Sequence, residues 1–103
     1  MKITGKILQV KPALYNGVQR TFETREGKKM EVWNVCFAIS QVNKTHIDCL
    51  LCEYVKEKDN SDTPFMEVTE KGLEVTADVS LSVIESDGRT FQRIRISNVY
   101  QKL

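Results

Sequence analysis

Two runs of alternating apolar and polar residues, joined by an Asp-Gly turn, fill the last third of the chain and limit its possible folds most strongly. Alternation with a period of two places successive side chains on opposite faces of a β-strand, and Asp-Gly favours a two-residue hairpin. The pattern predicts a hairpin of strands Leu73–Glu85 and Thr90–Gln101, connected by Ser86–Arg89. Its inward residues would be Val75, Ala77, Val79, Leu81, Val83, Ile94 and Ile96, while Phe91, Arg93 and Arg95 would face outward.

Three more segments have strand character. Met1–Lys11 has inward candidates at Ile3, Ile7 and Val10, and Gly5 suggests a bend or bulge before Pro12 ends the strand. Lys29–Ser40 carries its bulkier residues, Trp33, Val35, Phe37 and Ile39, on one predicted core face. After a turn at Asn43-Lys44, Thr45–Tyr54 would place Ile47, Cys49 and Leu51 inward and His46, Asp48, Leu50 and Cys52 outward.

The remaining segments read as connections. Pro12–Thr21 and the highly polar Glu53–Asp62 are predicted loops, and Arg25–Lys28 is a predicted turn after a short extended piece at Thr21–Thr24. Thr63-Pro64 has the character of a helix start and Lys71-Gly72 that of a helix end, so one short helix that buries Phe65 and Val68 is expected there.

This order predicts an all-β fold, residues 1–103 forming a single OB-fold domain. Its architecture would be a five-stranded antiparallel barrel with one short helix between the third and fourth strands. Assembly, if it occurs, would use an exposed strand or sheet face of the barrel, and the N-terminal strand is one candidate.

Five stretches resemble the bacterial single-stranded-DNA-binding proteins and their OB-fold relatives, including primosomal replication protein N. They are GKILQV, VWNVCFAIS, HIDCLLCE, EKGLEVTADVSL and SDGRTFQRIRISNV. The resemblance implies non-enzymatic binding of single-stranded DNA, a role in DNA replication and assembly into dimers or tetramers. The chain lacks the family's aromatic residues near His46 and near Cys52, so the resemblance implies only part of the usual stacking platform.

Charge and cysteine content narrow the function classes. The net charge of +1, from 15 Lys+Arg and 14 Asp+Glu, argues against binding to an anion through the whole surface, but clustered cations could still bind one. No apolar run is long enough to span a membrane and no signal-peptide pattern is present, so a cytoplasmic protein without a membrane partner is expected. The three cysteines are then expected to be free thiols.

Catalytic and metal-binding signatures are missing from the sequence. There is one histidine, His46, and no nucleophile or phosphate-loop motif accompanies it. Cys49 and Cys52 have C-x-x-C spacing, but positions three apart on a strand point to opposite faces and cannot share a metal. No enzyme activity, cofactor or metal is therefore predicted.

Binding of a single strand, DNA or possibly RNA, needs cations for phosphates and flat side chains for bases. The candidates are Arg20, Arg25, Lys28, Lys29, Trp33, Asn34, His46, Arg89, Phe91, Arg93 and Arg95. For each there is a plainer interpretation: the cations can be solvated surface charges, and Trp33 shares the predicted core face. The alternative function is a protein-interaction or oligomerisation module, for which outward Val32, Leu50 and Cys52 would supply an apolar surface.

Overall fold

Most of the described chain is β-strand. A computed structural model describes residues 1–41, 48–58 and 62–101. Its strands are β1 (Lys2–Pro12), β2 (Leu14–Tyr15), β3 (Val18–Gln19), β4 (Thr21–Glu23), β5 (Lys29–Ile39), β6 (Cys49–Glu57), β7 (Glu74–Ser86) and β8 (Arg89–Gln101), and the helix α1 (Met66–Glu70) lies between β6 and β7. The predicted all-β fold with a short helix in this position is confirmed.

The five longest strands pair in a ring, so the sheet is barrel-like. β1 lies antiparallel to both β5 and β7, β7 pairs with β8, and β5 pairs with β6. The ring closes through one parallel bridge, Glu53 with Arg95, whereas its other pairings are antiparallel as predicted. β1 uses Lys2–Lys6 to pair with β7 and Gly5–Pro12 to pair with β5. Gly5 and Lys6 therefore pair on both sides, whereas Lys2–Thr4 pair only with β7 and the rest of β1 pairs only with β5 in the described sheet.

The core lies inside this ring. Its largest fully buried side chains are Phe37, Ile96, Val35, Val75 and Cys52. Gly5 is required where β1 approaches β5 closely, because a Cβ there would lie 1.9 Å from the carbonyl oxygen of Ala38. A bend or bulge was predicted at Gly5; the bulge in β1 lies between Ile7 and Gln9, where the pairing with β5 shifts register.

The predicted orientation of the third long strand is reversed in β6. Cys52 is fully buried and Leu50 packs against the core, whereas Leu51 is 67% exposed and Cys49 is also exposed. The run Cys49–Cys52 is apolar at every position, so alternation could not select the inward face. Pairing selects it: Cys52 lies directly opposite core residue Val35, and opposite residues of an antiparallel pair share a face. Ile47 and the turn at Asn43-Lys44 lie outside the described residues.

The end of β6 and the start of the helix also differ from their predicted positions. Glu53–Glu57, assigned to a loop because of its polarity, continues β6, where Lys56 pairs with Glu31 of β5. The helix starts at Met66, later than Thr63-Pro64 predicted, after Phe65 in a left-handed conformation with φ 55° and no side-chain cap. Its end at Lys71, before Gly72, is as predicted.

The helix closes one end of the ring through its apolar residues. Phe65 and Val68 pack against the core as expected, and the Phe65 ring meets Tyr54 edge-on with centroids 4.6 Å apart. None of the helices among the described residues has the length and apolar character that crossing a membrane requires.

Two hairpin turns at the surface of the fold each contain two consecutive residues with positive φ. The predicted hairpin turn is confirmed at Asp87-Gly88, with φ of 53° and 74°. Asn16-Gly17, with φ of 52° and 78°, forms a second such turn within the predicted Pro12–Thr21 loop and joins β2 to β3. Asn-Gly is a typical sequence for this turn, so the small hairpin was visible in the sequence.

Candidate functional site

The β7–β8 hairpin projects beyond the ring. β1 covers β7 only as far as Val79, and β6 bridges β8 only at Arg95. Beyond these points Ser80–Ser86 and Arg89–Ile94 pair only with each other among the described residues, and together with Arg95 we call them the ribbon. Exposure rises sharply at this boundary, from 2% at Val79 to 50% at Leu81.

Register gives the ribbon two chemically different faces. Residues directly opposite each other in an antiparallel pair lie on the same side. One face therefore carries Arg89, Phe91, Arg93 and Arg95 opposite Ser86, Ile84, Ser82 and Ser80, and we call it the basic face. The reverse face carries Leu81, Val83 and Glu85 opposite Ile94, Gln92 and Thr90. The basic face combines three cations and an aromatic ring that is 51% exposed.

A groove runs from the ribbon across the outer surface of the ring. Its first part, a cavity of about 360 Å³, lies between the ribbon and β6; its second, of about 340 Å³, lies towards β1 and β2. The first is lined by Asn34, Leu51, Cys52, Glu53, Ile84, Phe91, Gln92, Arg93 and Ile94, the second by Gln9, Lys11, Pro12, Leu14, Asn34, Cys36 and Leu51. Asn34 and Leu51 belong to both, so the cavities form one continuous groove over β8, β6, β5 and β1.

Glu53 lies in the wall of this groove between two arginines. Its Oε2 is 2.8 Å from Arg20 Nη1 and accepts a hydrogen bond from it, and its Oε1 is 2.9 Å from Arg93 Nε. The Arg93 contact is an ion pair without hydrogen-bond geometry, since Oε1 is buried and accepts no hydrogen bond from the described residues. The Glu53 side chain is 18% exposed, against 42% for Arg20 and 32% for Arg93.

The structure brings together part of the predicted site. Arg89, Phe91, Arg93 and Arg95 share the basic face, Asn34 lies in the groove floor, and Arg20 joins the site through Glu53. His46 lies outside the described residues.

A second basic group stands apart from the ribbon. Arg25 and Lys28 are exposed in the turn before β5 and Lys29 is exposed at its start, near the Glu57 end of β6. β8 runs parallel to β6 at Arg95, so the ribbon extends in the other direction, towards the Cys49 end. The two basic groups therefore flank the sheet at opposite ends of β6.

Trp33 lies in the core and does not reach the groove. It is 5% exposed, and its Nε1–H donates a 3.1 Å hydrogen bond to Oε1 of Glu31, which is itself buried. Lys56 Nζ lies 3.3 Å from the same carboxylate oxygen and balances its charge. The indole is thus satisfied internally, in accord with the core interpretation of its face.

Sequence reasoning missed several groove residues for identifiable reasons. Glu53 was assigned to a loop, and Leu51 was placed inward. Gln9, Lys11 and Leu14 lie where β1 leads into the first small hairpin, a connection whose position over the sheet is set only by folding. The Asn16-Gly17 pair was the one sequence signal that pointed to a structured element there.

The cysteines divide between the two sides of the sheet. Cys49 is exposed and Cys52 is buried, on opposite faces of β6 as alternation predicts. Burial raises the pKa of the Cys52 thiol to about 11, with a further contribution from Cys36. Within residues 1–41, 48–58 and 62–101, no three His, Cys, Asp or Glu side chains are placed to hold a metal ion.

No protein-family model, curated protein or solved structure matches this chain. A functional conclusion must therefore come from the groove, the basic face and their chemistry.

Proposed function

We propose that this chain is a non-enzymatic OB-fold protein that binds single-stranded DNA along the groove and the basic face of the ribbon. One observation carries the proposal: Arg89, Phe91, Arg93 and Arg95 lie on a single face at the end of a groove lined mainly by amide and apolar side chains. An OB-fold is supported by the ring of five long strands and the helix between β6 and β7.

The groove offers each kind of contact that a single strand requires. Arginines can neutralise backbone phosphates, and Phe91 presents an exposed ring on which a base can stack. Asn34 and Gln92 can form hydrogen bonds with base edges. From β8 to β1 the groove crosses three strand spacings, about 14 Å, which matches about four stacked bases at the 3.4 Å rise of a DNA strand.

The wider setting of this proposal follows the family resemblance. It implies a cytoplasmic protein in DNA replication that needs no cofactor and forms a dimer or tetramer. RNA has the same phosphates and stackable bases, so it is an alternative ligand at the same groove.

A salt series with fluorescently labelled oligo(dT) tests the proposal. Each phosphate neutralised on a single strand contributes about −0.7 to the slope of log affinity against log salt. With about three or four contacts, affinity should fall by one to two decades between about 50 and 200 mM salt. The double variant Arg89→Gln/Arg95→Gln should reduce the slope by about 1.4, whereas Lys71→Gln, on the helix side of the fold, should leave it unchanged.

The second basic group is tested in the same series. Charge reversal at Lys28 and Lys29 should also flatten the salt slope, and folding should stay intact because both residues are exposed. If the wild-type protein retains neither oligo(dT) nor oligo(U) at about 20 mM salt, where phosphate contacts are strongest, the proposal is wrong.

A protein-interaction module is the second candidate. The apolar residues first expected to serve it do not: Val32 and Cys52 are buried, and Leu50 packs against the core. The observation in its favour is the reverse face of the ribbon, where Leu81 and Val83 are 50% and 67% exposed. Loss of all binding to single strands would make a pull-down with Leu81→Ser as control the next experiment.

A further inference from the structure

Glu53 is the acidic side chain in the wall of the first part of the groove. The other charged residue lining that part is Arg93, and Arg20 reaches Glu53 from the segment between β3 and β4. Its carboxylate therefore occupies the point at which two guanidinium groups from distant parts of the chain converge.

Carboxylate and phosphate present the same recognition chemistry to arginine. Both offer two oxygens that accept charge-assisted hydrogen bonds from the planar guanidinium fork. Nη1 of Arg20 and Nε of Arg93 contact Glu53. A guanidinium group has five N–H donors, so each arginine has further donors with which it can bind a second anion.

We propose that Arg20 and Arg93 form a phosphate-binding subsite, and that the Glu53 carboxylate holds this subsite in the ligand-free protein as a placeholder for a phosphodiester of the bound strand. The inference rests on the proposed function and adds a specific phosphate position to it. When a strand binds, its phosphate takes over guanidinium donors that Glu53 now holds, and the negative charge of Glu53 opposes the exchange. Glu53 thereby limits affinity and makes release easier.

Exposure and geometry make this exchange feasible. Both arginine side chains are more exposed than Glu53, so they can turn towards the groove while Glu53 stays in the wall. The Arg93 contact lacks hydrogen-bond geometry, so no directed bond to Glu53 Oε1 has to break there. The stronger contact to lose is the 2.8 Å hydrogen bond from Arg20.

The test compares two variants that change net charge equally. Glu53→Gln keeps the side-chain shape and one acceptor for Arg20 but removes the charge, and Glu70→Gln removes an exposed carboxylate from α1. We expect Glu53→Gln to bind oligo(dT) about tenfold more tightly at about 50 mM salt, the order of effect of one nearby unit charge. Glu70→Gln should match the wild type.

The outcomes separate this inference from the proposed function. If the wild type binds and Glu53→Gln binds equally or more weakly, Glu53 positions the arginines and the placeholder role is wrong, although the proposed function stands. If neither protein binds oligo(dT) at low salt, the proposed function itself fails and the inference with it. Adding Arg93→Gln to Glu53→Gln should abolish most of the gain, and retention of the full gain would also overturn the subsite.

Thermal unfolding of each variant shows whether the comparison is valid. Should Glu53→Gln fail to fold, the single variant Arg93→Gln tests the phosphate-binding subsite instead. Arg93 is partly exposed, so this substitution should leave the fold intact. The subsite requires Arg93→Gln to weaken oligo(dT) binding several-fold and to reduce the salt slope by about 0.7. An unchanged affinity and slope would overturn it.

Discussion

The two halves of β7 have the same alternating sequence and opposite environments. In the first half Val75, Ala77 and Val79 are at most 2% exposed, and in the second Leu81 and Val83 are 50% and 67% exposed. The difference begins where β1 ends its pairing with β7 at Val79. Alternation predicts a strand, but the neighbouring strands decide whether its apolar face becomes core or exposed surface.

Stability and the proposed binding thereby depend on different parts of one hairpin. The ring buries apolar side chains, which stabilises the fold, and the ribbon presents exposed side chains that can contact a ligand without loss of core packing. Matched substitutions in the ring and in the ribbon test this division.

The largest contrast is expected between two cysteines of β6. Cys49 is exposed, whereas Cys52 is fully buried with a pKa raised to about 11, so little reactive thiolate forms at pH 8. Cys52 should react with a thiol reagent about a thousandfold more slowly than Cys49, through opening of the ring. Mass spectrometry of timed labelling reactions measures both rates, and urea should remove the difference. Comparable rates in the native protein would mean that Cys52 faces outward.

Phe37 and Phe91 make the same comparison for stability. Phe37 is fully buried in the ring and Phe91 is 51% exposed on the ribbon. Phe37→Ala should lower the free energy of unfolding by about 3–5 kcal/mol, through lost burial and the cavity left behind. Phe91→Ala should change it by less than about 0.5 kcal/mol. Urea titration followed by Trp33 fluorescence measures both, and strong destabilisation by Phe91→Ala would show that Phe91 supports the core.

For binding we expect the larger effect in the exposed ribbon and not in the buried ring. Phe91→Ala should weaken oligo(dT) binding by about 1–3 kcal/mol if its ring stacks on a base. Phe22→Ala is the matched control, because Phe22 is 43% exposed on β4, away from the ribbon. Fluorescence anisotropy at constant salt measures both affinities. Equal losses in the two variants would remove the special role of the ribbon.

The smallest effect on stability is expected for an ion pair at the boundary between the ring and the ribbon. There Lys2 Nζ lies 2.9 Å from Asp78 Oδ1. The hydrogen bond from Lys2 lowers the pKa of Asp78 from its ordinary 3.8, and Tyr100 and Asn98 also donate to this carboxylate. A lowered carboxyl pKa stabilises the fold above the ordinary pKa, and this contribution is lost as pH falls through the folded-state pKa.

Asp78→Asn should therefore lower stability slightly at neutral pH and flatten the loss of stability below pH 3.8. Thermal unfolding between about pH 2 and 7 measures this effect, with Glu85→Gln on the exposed ribbon as control. Parallel pH profiles for Asp78→Asn and the wild type would show that the ion pair contributes nothing at this boundary.

Much of this protein is determined by local sequence. Apolar alternation predicts the long strands, Asp87-Gly88 the hairpin turn, and Lys71-Gly72 the end of the helix, because each rests on backbone preferences of a few neighbouring residues. The spacing of Phe91, Arg93 and Arg95 also places them on one face without knowledge of the fold.

Tertiary structure alone decides which face is inside and what else joins the site. Cys52 turns inward because it lies opposite Val35, and β7 becomes exposed because β1 ends its pairing at Val79. Glu53 lies 33 residues from Arg20 and 40 from Arg93 along the chain. Alternation fixes which neighbours share a face, but contacts between distant strands depend on register and on closure of the ring, which no local pattern encodes.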